Sequence, residues 1–301
     1  MVILPVTIIF IFIYVLESLT IIAQSSFVIA VLGREWVRAK RLSPLEMILT
    51  SLSSCRFCLQ LLSMIYDFCF FMNPSKIFWS IALCWEFTSH VTVWLTSLLA
   101  LFYCVKVSSF THPIFFWLRW RVLRLVPQLI LGTLVIAFVT TIPSSIRSRI
   151  RLEITATEYL RQNRSLMERI RMFDSLYITP QKITALCIPF LLFLVSIILL
   201  ITSLIRHWKQ IQQPSNVCSN SSMKAQSSAL RSLVIFLIFF TSYILSILIS
   251  YLGVLFDSRS WYWAWEAAIY AIVTANSTLM MLSIPALKKV LKTKCWGPEA
   301  A

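Results

Sequence analysis

A stripe of side chains with potential ligand-binding chemistry lies on a predicted helix near residue 90. The stripe follows helical spacings of three and four residues and consists of Glu86, Ser89, His90 and Val93, flanked by Trp85. A carboxylate accepts hydrogen bonds from hydroxyl groups, and an indole plane covers the apolar face of a ring. The stripe therefore suits a hydroxyl-rich ligand. In the alternative interpretation, Trp85 anchors the helix at a membrane surface and Glu86 faces water.

A second group of aromatic and acidic side chains opens the last apolar stretch of the chain. The run Trp261–Glu266 contains three tryptophans, a tyrosine and a glutamate. We expect Trp261 and Glu266 to lie at the mouth of a helical bundle, where a ligand would meet them. We expect the pair Trp263 and Trp265 to include anchors that face lipid at the membrane surface, although Trp261 and Trp265 also share a helical face.

The sixth apolar stretch carries an aromatic stripe at helical spacing. The stripe comprises Phe236, Phe239, Phe240 and Tyr243. Packing inside a bundle and a ligand pocket both explain such a stripe, and Phe240 and Tyr243 are the candidates for pocket residues. Lys182, at the start of the fifth stretch, would add a hydrogen-bond donor to the same pocket.

Two ionisable residues lie about halfway along the first and second apolar stretches. Glu17 and Arg56 lie at matching depths, because the two stretches run in opposite directions. Charged groups at membrane depth are costly and usually face the bundle interior. We therefore expect an ion pair or a hydrogen-bonded polar node between Glu17 and Arg56. A structural clamp without ligand contact is the preferred interpretation.

Enzyme and metal motifs are absent from the sequence. It contains no HExxH, no GxSxG and no glycine-rich phosphate loop, and only three histidines occur. Cys55 and Cys58 have the spacing of a CxxC pair, but packing in a helix explains them better because no second pair accompanies them. We predict no enzymatic activity, no cofactor and no metal site.

The composition indicates that membrane helices position these residues. Hydrophobic residues make up 58% of the 301 residues and charged residues 13%, against about 45–50% and about 25% in soluble domains. Such a composition excludes a disordered chain and argues against a soluble enzyme. A membrane-spanning helix needs about 20 mostly apolar residues. The stretches that satisfy this length are 2–32, 44–66, 78–105, 123–142, 183–205, 229–252 and 262–284.

Basic residues orient the seven predicted helices. The chain has 27 lysines and arginines and a net charge of +15. They are concentrated in the first, third and fifth loops and in the tail, 285–301, which the positive-inside rule assigns to the cytosol. We therefore predict one all-α membrane domain over 1–301, with the N-terminus outside and the C-terminus cytosolic. The charge indicates topology rather than binding of nucleic acid, although extracellular loop two, 143–182, is also basic and opposes the rule.

Two sites of modification follow from this topology. Asn163-Arg164-Ser165 is a glycosylation sequon in extracellular loop two, so we expect a glycan on Asn163. Cys295 follows a basic segment next to the last helix and is a candidate for palmitoylation.

Several segments carry a family resemblance. They are Leu32-Gly33-Arg34-Glu35-Trp36, Met47-Ile48-Leu49-Thr50-Ser51-Leu52, Arg56-Phe57-Cys58-Leu59-Gln60, Leu101-Phe102-Tyr103-Cys104-Val105-Lys106, Phe116-Trp117-Leu118-Arg119-Trp120-Arg121, Leu200-Ile201-Thr202-Ser203-Leu204 and Ala229-Leu230-Arg231-Ser232-Leu233. The third helix lacks the acidic-Arg-aromatic triplet of rhodopsin-like receptors. Together these features resemble the type 2 (bitter) taste receptors, a family of G-protein-coupled receptors. The segments Tyr14–Ile22 and Trp261–Glu266 are similar to a member that responds to β-glucopyranosides.

The resemblance implies a plasma-membrane receptor of seven helices. Bitter small molecules, in this case β-glucopyranoside-type glycosides, would activate a gustducin-type G protein, phospholipase C and calcium release. The family binds agonists in the outer half of the bundle, between helices three, five, six and seven. This implies ligand contacts for Trp85, Glu86, Ser89, Phe240 and Trp261.

The basic residues at the predicted cytosolic ends are candidates for contact with the G protein. They are Lys106, Arg119, Arg121 and Arg231. Binding of anionic membrane lipid and determination of topology explain the same residues equally well. The rival class for the whole chain is a multi-pass transporter or channel for small polar solutes, although repeated halves are not evident.

Overall fold

The computed structural model is an all-helical bundle. It describes residues 3–40, 42–72, 76–107, 121–122, 124–156, 168–169, 172–211, 220–252 and 259–283. The long helices are α1 (Ile3–Ala39), α2 (Pro44–Met72), α3 (Lys76–Val107), α4 (Val126–Ala156), α5 (Thr179–Ile211), α6 (Asn220–Leu252) and α7 (Arg259–Ser283). A π-helical turn, Asp174–Ile178, leads directly into α5.

Each long helix overlaps one of the seven predicted spans, but most extend further. The largest difference is in α4, which continues to Ala156, whereas the apolar stretch ended at residue 142. Pro143 lies inside this helix without ending it. The added part is polar, and Ser144 and Ser148 are buried against the bundle. Hydropathy therefore located the membrane core, and helical geometry continues beyond it on the predicted outer side.

Six of the helices within the described residues are long and apolar enough to cross a membrane. They are α1 to α6, and the last helix, Arg259–Ser283, is not among them. The exception has a chemical reason, because α7 carries Glu266, Asn276 and several tryptophans and tyrosines that lower its mean hydropathy. Glu266 and Asn276 are directed to the interior of the bundle.

α3 occupies the centre of the bundle. It packs against α2, α4 and α5, while α1 packs against α2 and α7, and α6 joins α5 to α7. Val91, Leu95 and Leu98 of α3 are almost completely buried. By contrast, large apolar side chains such as Phe12 of α1 and Phe138 of α4 are exposed on the outside of the protein. An apolar exterior around a partly polar interior is the arrangement expected in lipid.

Local signals explain the start of α2. The backbone N–H of Ser43 donates to Glu46 at 2.7 Å, and the backbone N–H of Glu46 donates to the Ser43 hydroxyl at 3.3 Å. This reciprocal pair is a capping box. Pro44 occupies the first helical position, where its missing N–H leaves no hydrogen bond unmade.

A hydroxyl group joins the central helix to α5. Ser97 is fully buried, and its Oγ donates to the carbonyl of Pro189 at 2.7 Å. We predict that Ser97→Ala lowers the free energy of unfolding by about 0.5–1 kcal/mol, the range of hydrogen bonds between membrane helices. Thermal unfolding of the purified protein in detergent measures this change. The matched control is Ser26→Ala, since Ser26 is exposed and donates only within its own helix; equal effects of both variants would contradict the prediction.

Candidate ligand cavity

A cavity of about 220 Å³ lies inside the bundle. Residues of α1, α2, α3, α6 and α7 line it, and α2 and α7 contribute more than the other helices. None of the described residues of α5 lines it. The helices around the cavity therefore differ from the expected set, because α1 and α2 contribute to the lining and the described residues of α5 do not. Phe193 of α5 is fully buried and packs against Phe240 of α6 at a ring distance of 4.3 Å, which closes this side.

Aromatic side chains form much of the cavity wall. Tyr66 stacks on Trp85, with ring centroids 6.0 Å apart and ring planes at 17°. Tyr251, Tyr262 and Tyr270 line the cavity from α6 and α7. Such rings offer apolar faces to a ligand while their hydroxyl and indole groups supply hydrogen bonds.

Two carboxylates and one guanidinium line the same cavity. These are Asp67, Glu266 and Arg56. Glu266 is half-buried, and no described residue donates a hydrogen bond to its carboxylate. Arg56 is only 8% exposed, and Asn276 lines the cavity with it. A carboxylate that is open to a cavity can accept hydrogen bonds from ligand hydroxyls.

Asp67 differs from Glu266, because both of its oxygens already have partners. The hydroxyl of Tyr14 on α1 donates to one oxygen at 2.5 Å, and that of Tyr262 on α7 donates to the other at 2.7 Å. Sequence reasoning missed Asp67. The predicted second span ended at Tyr66, so the residue after it was not treated as an intramembrane carboxylate, although α2 continues to Met72.

The structure brings together four of the predicted ligand residues. Trp85 of α3, Phe240 and Tyr243 of α6 and Glu266 of α7 all line the cavity. Phe240 both packs on α5 and lines the cavity, so the two interpretations of the aromatic stripe are compatible. The side chain of Trp261 lies outside the described part of the chain.

Glu86 and Lys182 form a separate site between α3, α4 and α5. Lys182 Nζ lies 3.0 Å from one carboxylate oxygen of Glu86, and the hydroxyl of Ser144 donates to the other at 2.7 Å. Neither Glu86 nor Lys182 lines the cavity. Glu86 is buried, so it does not face water as the alternative interpretation proposed. Ser89 is also buried outside the cavity lining, close to the Tyr243 hydroxyl.

The Glu86 site nevertheless contacts a residue of the cavity wall. Lys182 Nζ lies 5.4 Å from the centre of the Tyr251 ring, and Tyr251 lines the cavity. This cation–π geometry places α5 against α6. The pair of Glu86 and Lys182 therefore contacts the outer side of the cavity wall without lining the cavity.

The expected pairing of Glu17 with Arg56 does not form. None of the described contacts joins them, and one buried carboxylate oxygen of Glu17 has no hydrogen-bond partner. Glu17 shares a face of α1 with Gln24, whose amide donates to Thr278 of α7 at 2.8 Å. Equal depth in the membrane was therefore insufficient, because this face of α1 is directed towards α7 rather than α2.

Of the two tryptophans expected to include lipid anchors, Trp263 packs inside the protein and Trp265 contacts α6. Trp263 is only 9% exposed, and its ring lies 5.5 Å from that of Tyr14. Trp265 is half-buried and donates its indole N–H to Ser250 of α6 at 3.0 Å. The expectation was wrong for Trp263, because α7 makes close contacts on two sides, with α1 and with α6.

Other predicted sites are only partly covered. Lys106, Arg121 and Arg231 are exposed, which is consistent with contact to a partner or to lipid headgroups. Arg119, Asn163 and Cys295 lie outside the described residues. Within the described part of the chain, no group of histidine, cysteine, aspartate and glutamate side chains is arranged to hold a metal ion.

Comparisons with known proteins agree with the family resemblance. Residues 2–298 match the family described as taste receptor protein (TAS2R). The chain is 51% identical over 289 residues to taste receptor type 2 member 16 of Homo sapiens, covering 96% of this chain and 98% of that protein. It is 50% identical over 294 residues to the Mus musculus protein of the same name, with 98% of each covered. Taste receptor type 2 member 134 of Rattus norvegicus is 41% identical over 288 residues, covering 95% and 86%.

The Glu86 site generates a test of its structural role. We predict that Glu86→Gln lowers the free energy of unfolding by about 3–5 kcal/mol, because it leaves the charge of Lys182 buried without its carboxylate. The double variant Glu86→Gln/Lys182→Met should recover part of the loss. Thermal unfolding of the purified protein measures both.

Glu168→Gln provides the control, because Glu168 is an exposed carboxylate. An unfolding temperature of Glu86→Gln that equals that of Glu168→Gln would contradict a structural role for the ion pair.

Proposed function

The chain belongs to the TAS2R family of taste receptors, and we propose that it is activated by bitter glycosides of the β-glucopyranoside type. The predicted resemblance to the bitter taste receptors is confirmed by the match over residues 2–298 and by relatives at about 50% identity. Family membership makes the chain a multi-pass membrane protein and a G-protein-coupled receptor for small molecules, not an enzyme. Signalling through a gustducin-type G protein, phospholipase C and calcium release belongs to the proposal.

The observation that supports a glycoside ligand is the cavity that contains Glu266. Its carboxylate has no donor among the described residues, so sugar hydroxyls can donate to it without displacing a protein contact. Trp85 and the cavity tyrosines offer flat apolar faces to the sugar ring or to an aromatic aglycone. Most of the lining surface is apolar, as in typical small-molecule sites, and hydroxyl, amide and charged groups interrupt it.

The size of the cavity favours small agonists. Its volume of about 220 Å³ lies below the range of about 300–1,000 Å³ that is typical of ligand pockets. A monosaccharide with a small aglycone therefore fits better than a large multi-ring compound. The proposal assigns hydrogen bonding to Glu266 and aromatic contact to Trp85, Phe240 and Tyr243. Trp261 keeps its proposed place at the mouth of the bundle.

The residues outside the cavity lining take supporting roles in this proposal. Glu86 and Lys182 hold α3 against α5, and Lys182 contacts the ring of Tyr251. Ser89 lies close to the hydroxyl of Tyr243. These contacts would maintain the shape of the cavity rather than touch the agonist.

The proposed topology places the cavity mouth outside the cell. In that orientation the N-terminus and extracellular loop two are outside, and the tail is in the cytosol of a plasma-membrane receptor. An agonist would then shift an existing equilibrium towards a conformation that opens the cytosolic end to a G protein. Lys106, Arg119, Arg121 and Arg231 would contact that partner, and the same side chains can bind anionic lipid.

Replacement of Glu266 tests the ligand site. We predict that Glu266→Gln raises the EC50 for phenyl β-D-glucopyranoside about 10- to 100-fold, since an amide N–H replaces one acceptor oxygen and leaves a buried sugar hydroxyl without a partner, at a cost of about 1–3 kcal/mol. Calcium imaging of transfected cells measures the response, with surface expression determined in parallel. The control is Glu168→Gln, which changes an exposed carboxylate outside the cavity.

Two outcomes would contradict the proposal. An unchanged EC50 for Glu266→Gln at normal surface expression would exclude Glu266 from the ligand site. A wild-type response that survives removal of the coupled G protein would instead indicate a transporter or channel.

The glycosylation sequon tests the proposed topology. We predict that Asn163→Gln increases the electrophoretic mobility of the receptor to that of the glycosidase-treated wild type, because only a segment outside the cytosol acquires the glycan. The control is Asn220→Gln, at a second sequon that the topology places in the cytosol. A mobility shift for Asn220→Gln and none for Asn163→Gln would reverse the orientation.

A further inference from the structure

Asp67 links three helices next to the cavity. It is only 3% exposed, and each of its carboxylate oxygens accepts one tyrosine hydroxyl. Tyr14 provides the first from α1, at 2.5 Å, and Tyr262 provides the second from α7, at 2.7 Å. Tyr14 is not part of the cavity lining, whereas Tyr262 is. Asp67 itself lines the cavity, and of its two hydrogen-bond donors only Tyr262 belongs to the cavity wall.

Ser63 repeats this arrangement one helical turn earlier on α2. Its Oγ accepts the indole N–H of Trp85 on α3 at 3.2 Å and also forms a hydrogen bond with the hydroxyl of Tyr270 on α7. Ser63 is 3% exposed. Ser63 and Asp67 lie four residues apart and thus share one face of α2.

The aromatic partners of Ser63 and Asp67 form part of the cavity wall on two sides of the cavity. Trp85 lies on α3, and Tyr262 and Tyr270 lie on α7. The orientation of such a ring depends on two side-chain torsions, and a hydrogen bond at its polar tip restricts both. Ring orientation determines the width of the space between opposite walls.

We propose that Asp67 and Ser63 are positioning residues that determine which aglycones the receptor accepts. The inference rests on the proposed glycoside function of the same cavity. Asp67 acts through Tyr262, and Ser63 acts through Trp85. With the hydrogen bonds in place, the rings stand at a separation that suits a small aromatic aglycone. Without them, the rings turn and the cavity loses its preference for small over large aglycones.

A double-mutant cycle separates positioning from direct contact. The variants are Asp67→Asn, Tyr262→Phe and their combination. Tyr262→Phe removes the donor of this hydrogen bond, and Asp67→Asn leaves one neutral amide oxygen to serve two tyrosine hydroxyls. If Asp67 acts through Tyr262, both single changes act on the same interaction, and the double variant is no worse than the more affected single variant. If Asp67 touches the agonist independently, the fold-changes multiply.

The readout is the ratio of EC50 values for phenyl and 2-naphthyl β-D-glucopyranoside in calcium imaging. A change in folding or surface expression alters both responses in the same sense, whereas a change in ring position alters the ratio. For Asp67→Asn we expect the phenyl EC50 to rise about tenfold, corresponding to one lost hydrogen bond, and the naphthyl EC50 to rise less or to fall.

Tyr14→Phe is the matched control. It removes the other hydrogen bond to Asp67 but keeps the ring that packs 5.1 Å from Tyr270 and leaves the cavity wall intact. We expect its EC50 ratio to stay within about twofold of the wild type, even if the receptor is less stable. Ser63→Ala is an independent second variant on the Trp85 side, and it should change the ratio in the same direction as Asp67→Asn.

Each outcome decides the inference. Equal fold-changes for the two glycosides in both Asp67→Asn and Ser63→Ala, or multiplicative effects in the cycle, would overturn it. A ratio that shifts as strongly in Tyr14→Phe would overturn it as well. A wild-type receptor that responds to neither glycoside would reject the proposed function itself, which is a different result from an unchanged ratio in the variants.

Discussion

Hydrocarbon supplies no hydrogen bonds, so each polar group that a membrane helix buries must find a partner within the protein. Two carboxylates of this bundle meet that requirement completely. Glu86 accepts hydrogen bonds from Ser144 and Lys182 and joins α3 to α4 and α5. Asp67 accepts hydrogen bonds from the tyrosines of α1 and α7 and joins them to α2. The packing of the predicted outer half of the bundle depends on these two occupied carboxylates, of which Asp67 lines the cavity and Glu86 does not.

Glu266 is the contrasting case, and the contrast explains why the ligand site is proposed around it. Its carboxylate lines the cavity without a donor among the described residues, in a part of the chain where an unpaired acceptor is costly. A ligand that donates hydroxyl groups would remove that cost on binding. A ligand would bring no comparable gain in free energy at Asp67 or Glu86, because both carboxylates already accept hydrogen bonds from the protein. Structural and ligand-binding carboxylates thus differ here in their partners, not in their residue type or depth.

Particular residues show how far sequence reasoning extends. Apolar length located all seven helices, yet it ended the second span at Tyr66 and so overlooked Asp67, the next residue. It ended the fourth span at residue 142, although α4 continues through Pro143. Their matching depth in the membrane suggested a pair between Glu17 and Arg56. Two side chains pair only if their helices also turn them towards each other, and hydropathy does not give the rotation of a helix about its axis. Trp85 and Glu266 were recognised because dense polar and aromatic clusters at helix ends are unusual.

The sequence by itself determined the number and approximate place of the helices, the membrane class and the family. These properties follow from apolar length and from residue identities along the chain, which need no knowledge of neighbours. The tertiary structure alone decided which acidic residues face the cavity without a donor and which accept hydrogen bonds from other helices. That choice depends on the rotation of each helix about its axis, and packing sets the rotation. A turn of one residue, about 100°, separates Trp85, which lines the cavity, from Glu86, which does not.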